Sequence, residues 1–130
     1  MTEPKLGAAG TEFRLRRHAD YQCVYKASRK QFSKQMSYFF ALRESGAEAD
    51  ARAGAGPRVG LTVGKVMGKA VDRNRIKRRM RSAVRRHVAL LAADVDVVLH
   101  PKRTVLEVEF AALEREVGQV FKSVMKAMAR

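Results

Sequence analysis

The segment from Lys65 to Arg86 carries most of the chain's excess positive charge on what its periodicity predicts to be a single helix. With Ile76 as origin and about 100° per residue, Met80, Ala83, Val84, His87 and Leu91 share one arc with Ile76, which predicts an edge facing a core. Asn74, Arg78, Arg81 and Arg85 fall on the opposite side, flanked by Lys77 and, nearer the apolar margin, by Arg73. Guanidinium groups one turn apart repel one another and cost helix stability unless anions lie between them. No Asp or Glu occurs between positions 73 and 93, whereas solvated helical faces usually mix both signs. The row therefore predicts an outward face completed by a polyanion. Asn74 interrupts it with a side chain that both donates and accepts.

The flanking sequence says what this helix packs on. From Arg58 to Gly64, Val59, Leu61 and Val63 alternate with Gly60 and Thr62, the period of a strand with one buried face. Gly64 and Gly68 supply a turn, and Asp72 sits where a negative charge favours the start of a helix. After the helix, Val95, Val97, Val98 and Leu99 form a run that Pro101 ends, and the strand-helix-strand order predicts that it lies parallel to the earlier strand. Phe110, Leu113, Val117, Val120, Phe121, Val124 and Met128 recur at helical spacing, predicting a last helix that closes over the sheet.

Upstream, His18 to Lys26 carries Tyr21, Val24 and Tyr25 at helical spacing and predicts a short first helix with an aromatic face, beginning near His18, Ala19 or Asp20. Phe32 to Leu42, with Tyr38, Phe39 and Phe40, predicts two short strands or one strand with an irregular approach. Residues 1–12 read as a flexible lead-in. Residues 44–57 read as a long flexible loop of small residues whose shortening should leave function intact. The expectation is one domain over 13–128, an α+β sandwich of one sheet and packed helices around a single two-layered core.

Lys and Arg total 27 against 13 Asp and Glu, a net charge of +14, which points to nucleic acid or an acidic membrane surface. A hydrophobic content of 46% is too high for a disordered basic tail. The basic helix has no Trp or Phe to anchor in a headgroup layer, so a membrane is the weaker reading. Cys23 stands alone, which excludes a disulfide framework or a thiolate zinc site, fits a reducing compartment, and leaves Cys23 as a packed small residue. His18, His87 and His100 lie far apart, and His87 falls on the apolar arc as a core or boundary residue. No segment has the length of a membrane span and the first twelve residues carry no apolar run, so a cytoplasmic protein is expected. Neither a carboxylate cluster for two metal ions nor a histidine pair spaced for hydrolysis is present.

Arg58-Val-Gly-Leu-Thr-Val-Gly-Lys, followed by Gly68-Lys-Ala-Val-Asp-Arg-Asn-Arg-Ile-Lys-Arg-Arg-Met-Arg, closely resembles the protein subunit of bacterial ribonuclease P, whose hallmark is the Arg-Asn-Arg core with Ile-Lys-Arg after it. Leu15-Arg-Arg-His-Ala-Asp-Tyr-Gln-Cys-Val-Tyr and Asp96-Val-Val-Leu-His-Pro extend the resemblance over about residues 13 to 125, in order. The resemblance implies a four-stranded mixed sheet with three helices in the order α-β-β-β-α-β-α, like the second domain of a small-subunit ribosomal protein. It also implies a left-handed strand-helix-strand crossover, the opposite of the general rule.

It further implies the protein component of an endoribonuclease in which a large RNA subunit holds Mg²⁺ and removes the 5′ leader of precursor tRNA. The protein itself then has no catalytic residue and no metal site. The implied partners are the RNA subunit and precursor tRNA, with no membrane and no obligate protein partner. Arg73, Asn74, Lys77, Arg78 and Arg81 match the motif that contacts the RNA subunit, and Arg85 continues the row. Arg75 belongs to the motif but points away from the row, leaving a structural role or a different contact open. Tyr21, Tyr25 and Phe40 match the aromatic positions of a leader-binding cleft, with Lys65 and Arg29 as candidate phosphate partners; a purely structural place in the core is the alternative for the three rings. Phe39 and Phe32 are assigned to packing or left open. A structural RNA-binding protein of the ribosomal type, or a protein-only nuclease, are the rival readings.

Overall fold

The computed structural model describes residues 13–43, 56–92 and 94–129. The flexible segment expected at 1–12, and residues 44–55 of the flexible loop expected over 44–57, lie outside the described residues. The described elements are α1 (His18–Ala27), β1 (Gln31–Phe32), β2 (Met36–Leu42), β3 (Arg58–Leu61), α2 (Ala70–His87), β4 (Val95–Pro101) and α3 (Phe110–Met128). They form one mixed sheet in the order β1-β2-β4-β3, with β2 antiparallel to β1 and β4, and β3 parallel to β4. From Ala70 the basic segment is one helix, as its periodicity predicts, while Lys65–Met67 form a separate 3-10 turn before it. Strand β3 ends at Leu61, earlier than the alternation suggested, although the Thr62 N–H still donates to the Leu99 carbonyl at 3.0 Å.

Side chains alternate across the sheet, and both faces are covered. Met36, Tyr38, Val59, Val97 and Leu99 face α2 and α3, where they pack with Ile76, Met80, Leu113 and Phe121 in the main core. On the other face Leu15, Val24 and Val98 make a second, smaller core under α1, with Tyr21, Tyr25, Phe39 and Ala41 packed around it. Three layers thus replace the expected two. The reason is legible in β4: a strand buried on both faces reads as a continuous apolar run rather than an alternation, and Val95, Val97, Val98 and Leu99 are all fully buried. Each such aliphatic side chain contributes about 1.5–3 kcal/mol on leaving water.

The crossover from β3 through α2 to β4 is left-handed. Leu99 points its side chain toward α2 and α3 and offers its carbonyl to Thr62 at the end of β3. On an upward strand, an L-residue facing the viewer directs its N–H and C=O to the right, so β3 lies right of β4 when seen from the helices. A path that rises along β3, descends through α2 in front and rises again along β4 therefore moves leftward.

A buried ion cluster fixes α1 and the start of β3. Asp96 on β4 accepts from Arg58 Nε at 2.9 Å and Nη2 at 2.7 Å, and from Arg43 Nη1 at 2.6 Å, while Arg58 Nη1 reaches Asp20 of α1 at 3.2 Å. Burial by itself would lower the Arg58 pKa; the hydrogen bonds and charges of Asp96 and Asp20 outweigh it and hold the guanidinium above its ordinary value. Such a cluster tolerates no missing partner, since one buried charge left alone costs about 3–5 kcal/mol. His87 is the boundary residue expected: its Nε2 lies 2.7 Å from Glu114 Oε2, and its ring rests against Gly118 of α3. Cys23 is not packed but exposed on the outer side of α1, because the apolar positions of so short a helix are taken by Val24 and the two tyrosines.

Candidate nucleic-acid interface

Helix α2 starts beyond a turn that needs Gly68, whose φ of 125° disfavours any side chain. Asp72 in its first turn lies 3.6 Å from Arg103. Ile76, Met80, Ala83 and Val84 are buried, so the helix can turn only one way, and the row faces out. Asn74, Arg75, Arg78 and Arg85 are exposed; Arg73, Lys77 and Arg81 are half-buried. Among the described residues no Lys or Arg of α2 pairs with a carboxylate. Arg73 donates from Nε to the Gly68 carbonyl at 3.2 Å, bracing the turn. For Arg75 a structural role has no hydrogen bond or ion pair to rest on among the described residues.

Arginines on the flank toward α3 do different work. Arg79 donates from Nε to the Val105 carbonyl at 2.9 Å and from Nη2 to the Val108 carbonyl. The guanidinium groups of Arg79 and Arg86 lie 6.0 Å and 5.5 Å from the Phe110 ring, so both help hold α2 to the chain entering α3. Arg81 is also not a plain member of the outer row. It lines a notch between α1, α2 and β3 together with Arg14 and Tyr21, where burial, then the charge of Arg14, lowers its pKa. The cationic row thus runs inward at Arg81 and meets the aromatic helix.

Across that notch, the Tyr21 ring lies over Gly60 of β3 and its hydroxyl donates to the Leu15 carbonyl at 3.1 Å; burial raises its pKa. Tyr25, one turn on, stands 6.4 Å from Tyr21 and 4.9 Å from Phe39, edge to face in both cases. Its hydroxyl lies 3.0 Å from His100 Nε2 and 3.4 Å from Thr62 Oγ1. Phe40, expected beside the tyrosines, is on the opposite face of the sheet, stacked at 6.4 Å and 29° on Tyr38 and packed against the main core. Neighbouring residues of a strand cannot share a face, and the register that sets Phe39 against Val98 gives the α1 side to Phe39.

Arg29 is exposed in the connection from α1 to β1, and Lys65 is exposed at the turn after β3. Neither is bonded to the rings. Lys30 and Phe32 extend the cleft: Phe32 is 72% exposed, with Lys30 Nζ 5.9 Å from its ring centre. Phe39, His100, Thr62, Lys30 and Arg14 are thus the cleft and notch residues that sequence reasoning missed. Parity along β4 was the available signal, since His100 and Val98 share a face and Val98 is the residue opposite Phe39.

Residues 10–125 match the sequence model of the family Ribonuclease P. The chain belongs to the ribonuclease P protein family. Among solved structures it is similar to the RNase P protein of Staphylococcus aureus, at 22% identity and a TM-score of 0.67, covering 86% of this chain and 94% of that one. A Staphylococcus aureus RNase P protein mutant with defective mRNA degradation activity matches at 20% identity and 0.72, covering 96% and 98%. The RNase P protein of Thermotoga maritima matches at 22% and 0.68, covering 85% and 96%. At these identities the likeness is one of fold, and it reproduces the three helices and four-stranded mixed sheet described above. Among the described residues no group of three or more His, Cys, Asp or Glu side chains could hold a metal ion. No helix of the described residues is long and apolar enough to cross a membrane.

Proposed function

We propose that this chain acts in the cytoplasm as the protein subunit of a ribonuclease P ribonucleoprotein that removes the 5′ leader of precursor tRNA, with Mg²⁺ held by the RNA subunit and substrate. The outer face of α2, through Arg73, Asn74, Arg75, Lys77, Arg78 and Arg85, docks on the RNA subunit. The cleft between α1 and the sheet, lined by Tyr21, Tyr25 and Phe39 and flanked by Lys65 and Arg29, takes the single-stranded leader. Arg81 lies where the two surfaces meet.

The observation that carries this reading is the row of cations on α2, unpaired with any carboxylate among the described residues and running through Arg81 and Arg14 into an aromatic cleft. Stacking of a base on an aromatic ring contributes about 1–3 kcal/mol and tolerates any base, which suits leaders of many sequences. The cations screen repulsion between the phosphates of two RNAs, and holding the leader restricts the scissile bond to productive geometry. No side chain of this protein takes part in bond cleavage on this reading.

Cleavage of precursor tRNA by the protein alone, by the cognate RNA subunit alone, and by the reconstituted pair tests it. The protein alone is expected to be inert, and the pair active at Mg²⁺ concentrations where the RNA alone is not. Cleavage by the protein alone would make it a nuclease. A pair no better than RNA alone would leave a structural RNA-binding protein of the ribosomal type.

A further inference from the structure

His100 stands on the floor of the cleft with a ring nitrogen to spare. Its Nε2 lies 3.0 Å from the Tyr25 hydroxyl, and its ring lies 5.8 Å from that of Tyr25 and 5.3 Å from that of Phe39. Its Nδ1 bonds to none of the described residues and is not sealed from solvent. The groups around it come from four directions: the phenol of Tyr25 from α1, Lys30 from the α1–β1 connection, Phe39 from β2, and Thr62 from the end of β3. The only charge among these is positive.

In the free protein this setting favours the neutral imidazole: burial first, then the Lys30 charge, hold the His100 pKa below the ordinary histidine value. In the tautomer with the proton on Nδ1, Tyr25 donates its hydroxyl proton to Nε2 and Nδ1–H is the free donor. A phosphodiester strand laid in the cleft reverses the local field, because its negative charge offsets Lys30 and stabilises an imidazolium. The same contacts serve the charged form. Nε2–H donates to the Tyr25 oxygen, whose own proton turns to Thr62 Oγ1, and Nδ1–H donates to the strand.

We propose that His100 is a leader contact of this chain, taking up one proton from solvent as single-stranded RNA enters the cleft, so that leader binding tightens as pH falls. The inference rests on the reading of the α1–sheet cleft as the leader site, and it adds to that site a residue whose grip depends on pH.

The test uses the reconstituted holoenzyme and a precursor tRNA with an all-uridine leader, whose bases do not titrate between about pH 5.5 and 8 where histidine does. At each pH its Kd is divided by that of the same tRNA without a leader, so titrations elsewhere in the RNA cancel. The leader's contribution to affinity is expected to fall about fivefold or more from pH 6 to 7.5, within the tenfold per unit that uptake of one proton allows. His100→Gln, which can still bond to Tyr25 but does not titrate, is expected to flatten the profile.

A flat wild-type profile, or a slope that survives in His100→Gln, overturns the proposal while leaving the leader site standing. A leader contribution absent at every pH overturns both. Should the variant fold poorly, an NMR titration of His100 in the wild-type protein decides: its pKa is expected to rise when a single-stranded uridine oligonucleotide binds, and an unchanged pKa sinks the proposal.

Discussion

Gly60 has no side chain because Tyr21 occupies the space one would need. An ideal Cβ there would stand 2.5 Å from the Tyr21 hydroxyl oxygen and 2.6 Å from Cζ, well inside contact distance. In Gly60→Ala the ring must swing out, breaking its bond to the Leu15 carbonyl and opening the notch that Arg81 shares. The expected cost is about 1–3 kcal/mol in urea unfolding. Precursor affinity is expected to weaken both in this variant and in Tyr21→Ala, measured as binding of leader-bearing against leaderless tRNA. From the sequence, Gly60 was only a small residue on the polar side of an alternation; its purpose depends on a side chain about forty positions earlier in the chain, which no local pattern reports.

Helix α2 divides its arginines between two tasks, and the division can be measured. Arg78 is exposed with no internal carboxylate, so Arg78→Ala is expected to leave stability within about 0.5 kcal/mol. Affinity for the RNA subunit should fall and the salt slope of that binding become shallower by about one. Arg79→Ala should do the reverse, because the Val105 and Val108 carbonyls lose their donor. A loss of about 1–3 kcal/mol in unfolding, with an unchanged salt slope, is the expected pair of results. The apolar arc of α2 was legible in the sequence, since four buried residues at helical spacing leave one orientation. Which flank touches α3 was not, so the wheel could not tell Arg79, which is tied inward, from Arg75, which is exposed. In β2 the same limit hid Phe39 behind Phe40: alternation separates the two rings but does not say which side α1 covers.

Over the whole molecule, the left-handed crossover sets α2 beside β3 on one face of the sheet while α1 packs on the other. The two meet at the edge formed by residues 13–15, where Arg14 bridges to Val59 and shares the notch with Arg81 and Tyr21. On the proposed function, anchor and cleft form one continuous cationic surface, and a chain of net charge +14 is expected to bind RNA largely by releasing counterions. If about five phosphates are neutralised, affinity for the RNA subunit should fall several hundredfold over a fourfold rise in salt. Filter binding across that range checks it, and a nearly flat profile would contradict the assignment of α2.

By itself the sequence determined the three helices and the strands β2, β3 and β4 in their order, the parallel pairing of β3 with β4 and the outward row of α2. All of these follow from residues close together in the chain, through helical or strand periodicity and the turn chemistry of glycine. Only the tertiary structure decided that the sheet has a second core, that Phe39 and not Phe40 joins the tyrosines, that Arg81 turns into a notch and that His100 faces the cleft. Those outcomes depend on strand register and on which helix covers which face. Shifting one strand by a single residue reverses every side chain on it while leaving its local pattern unchanged.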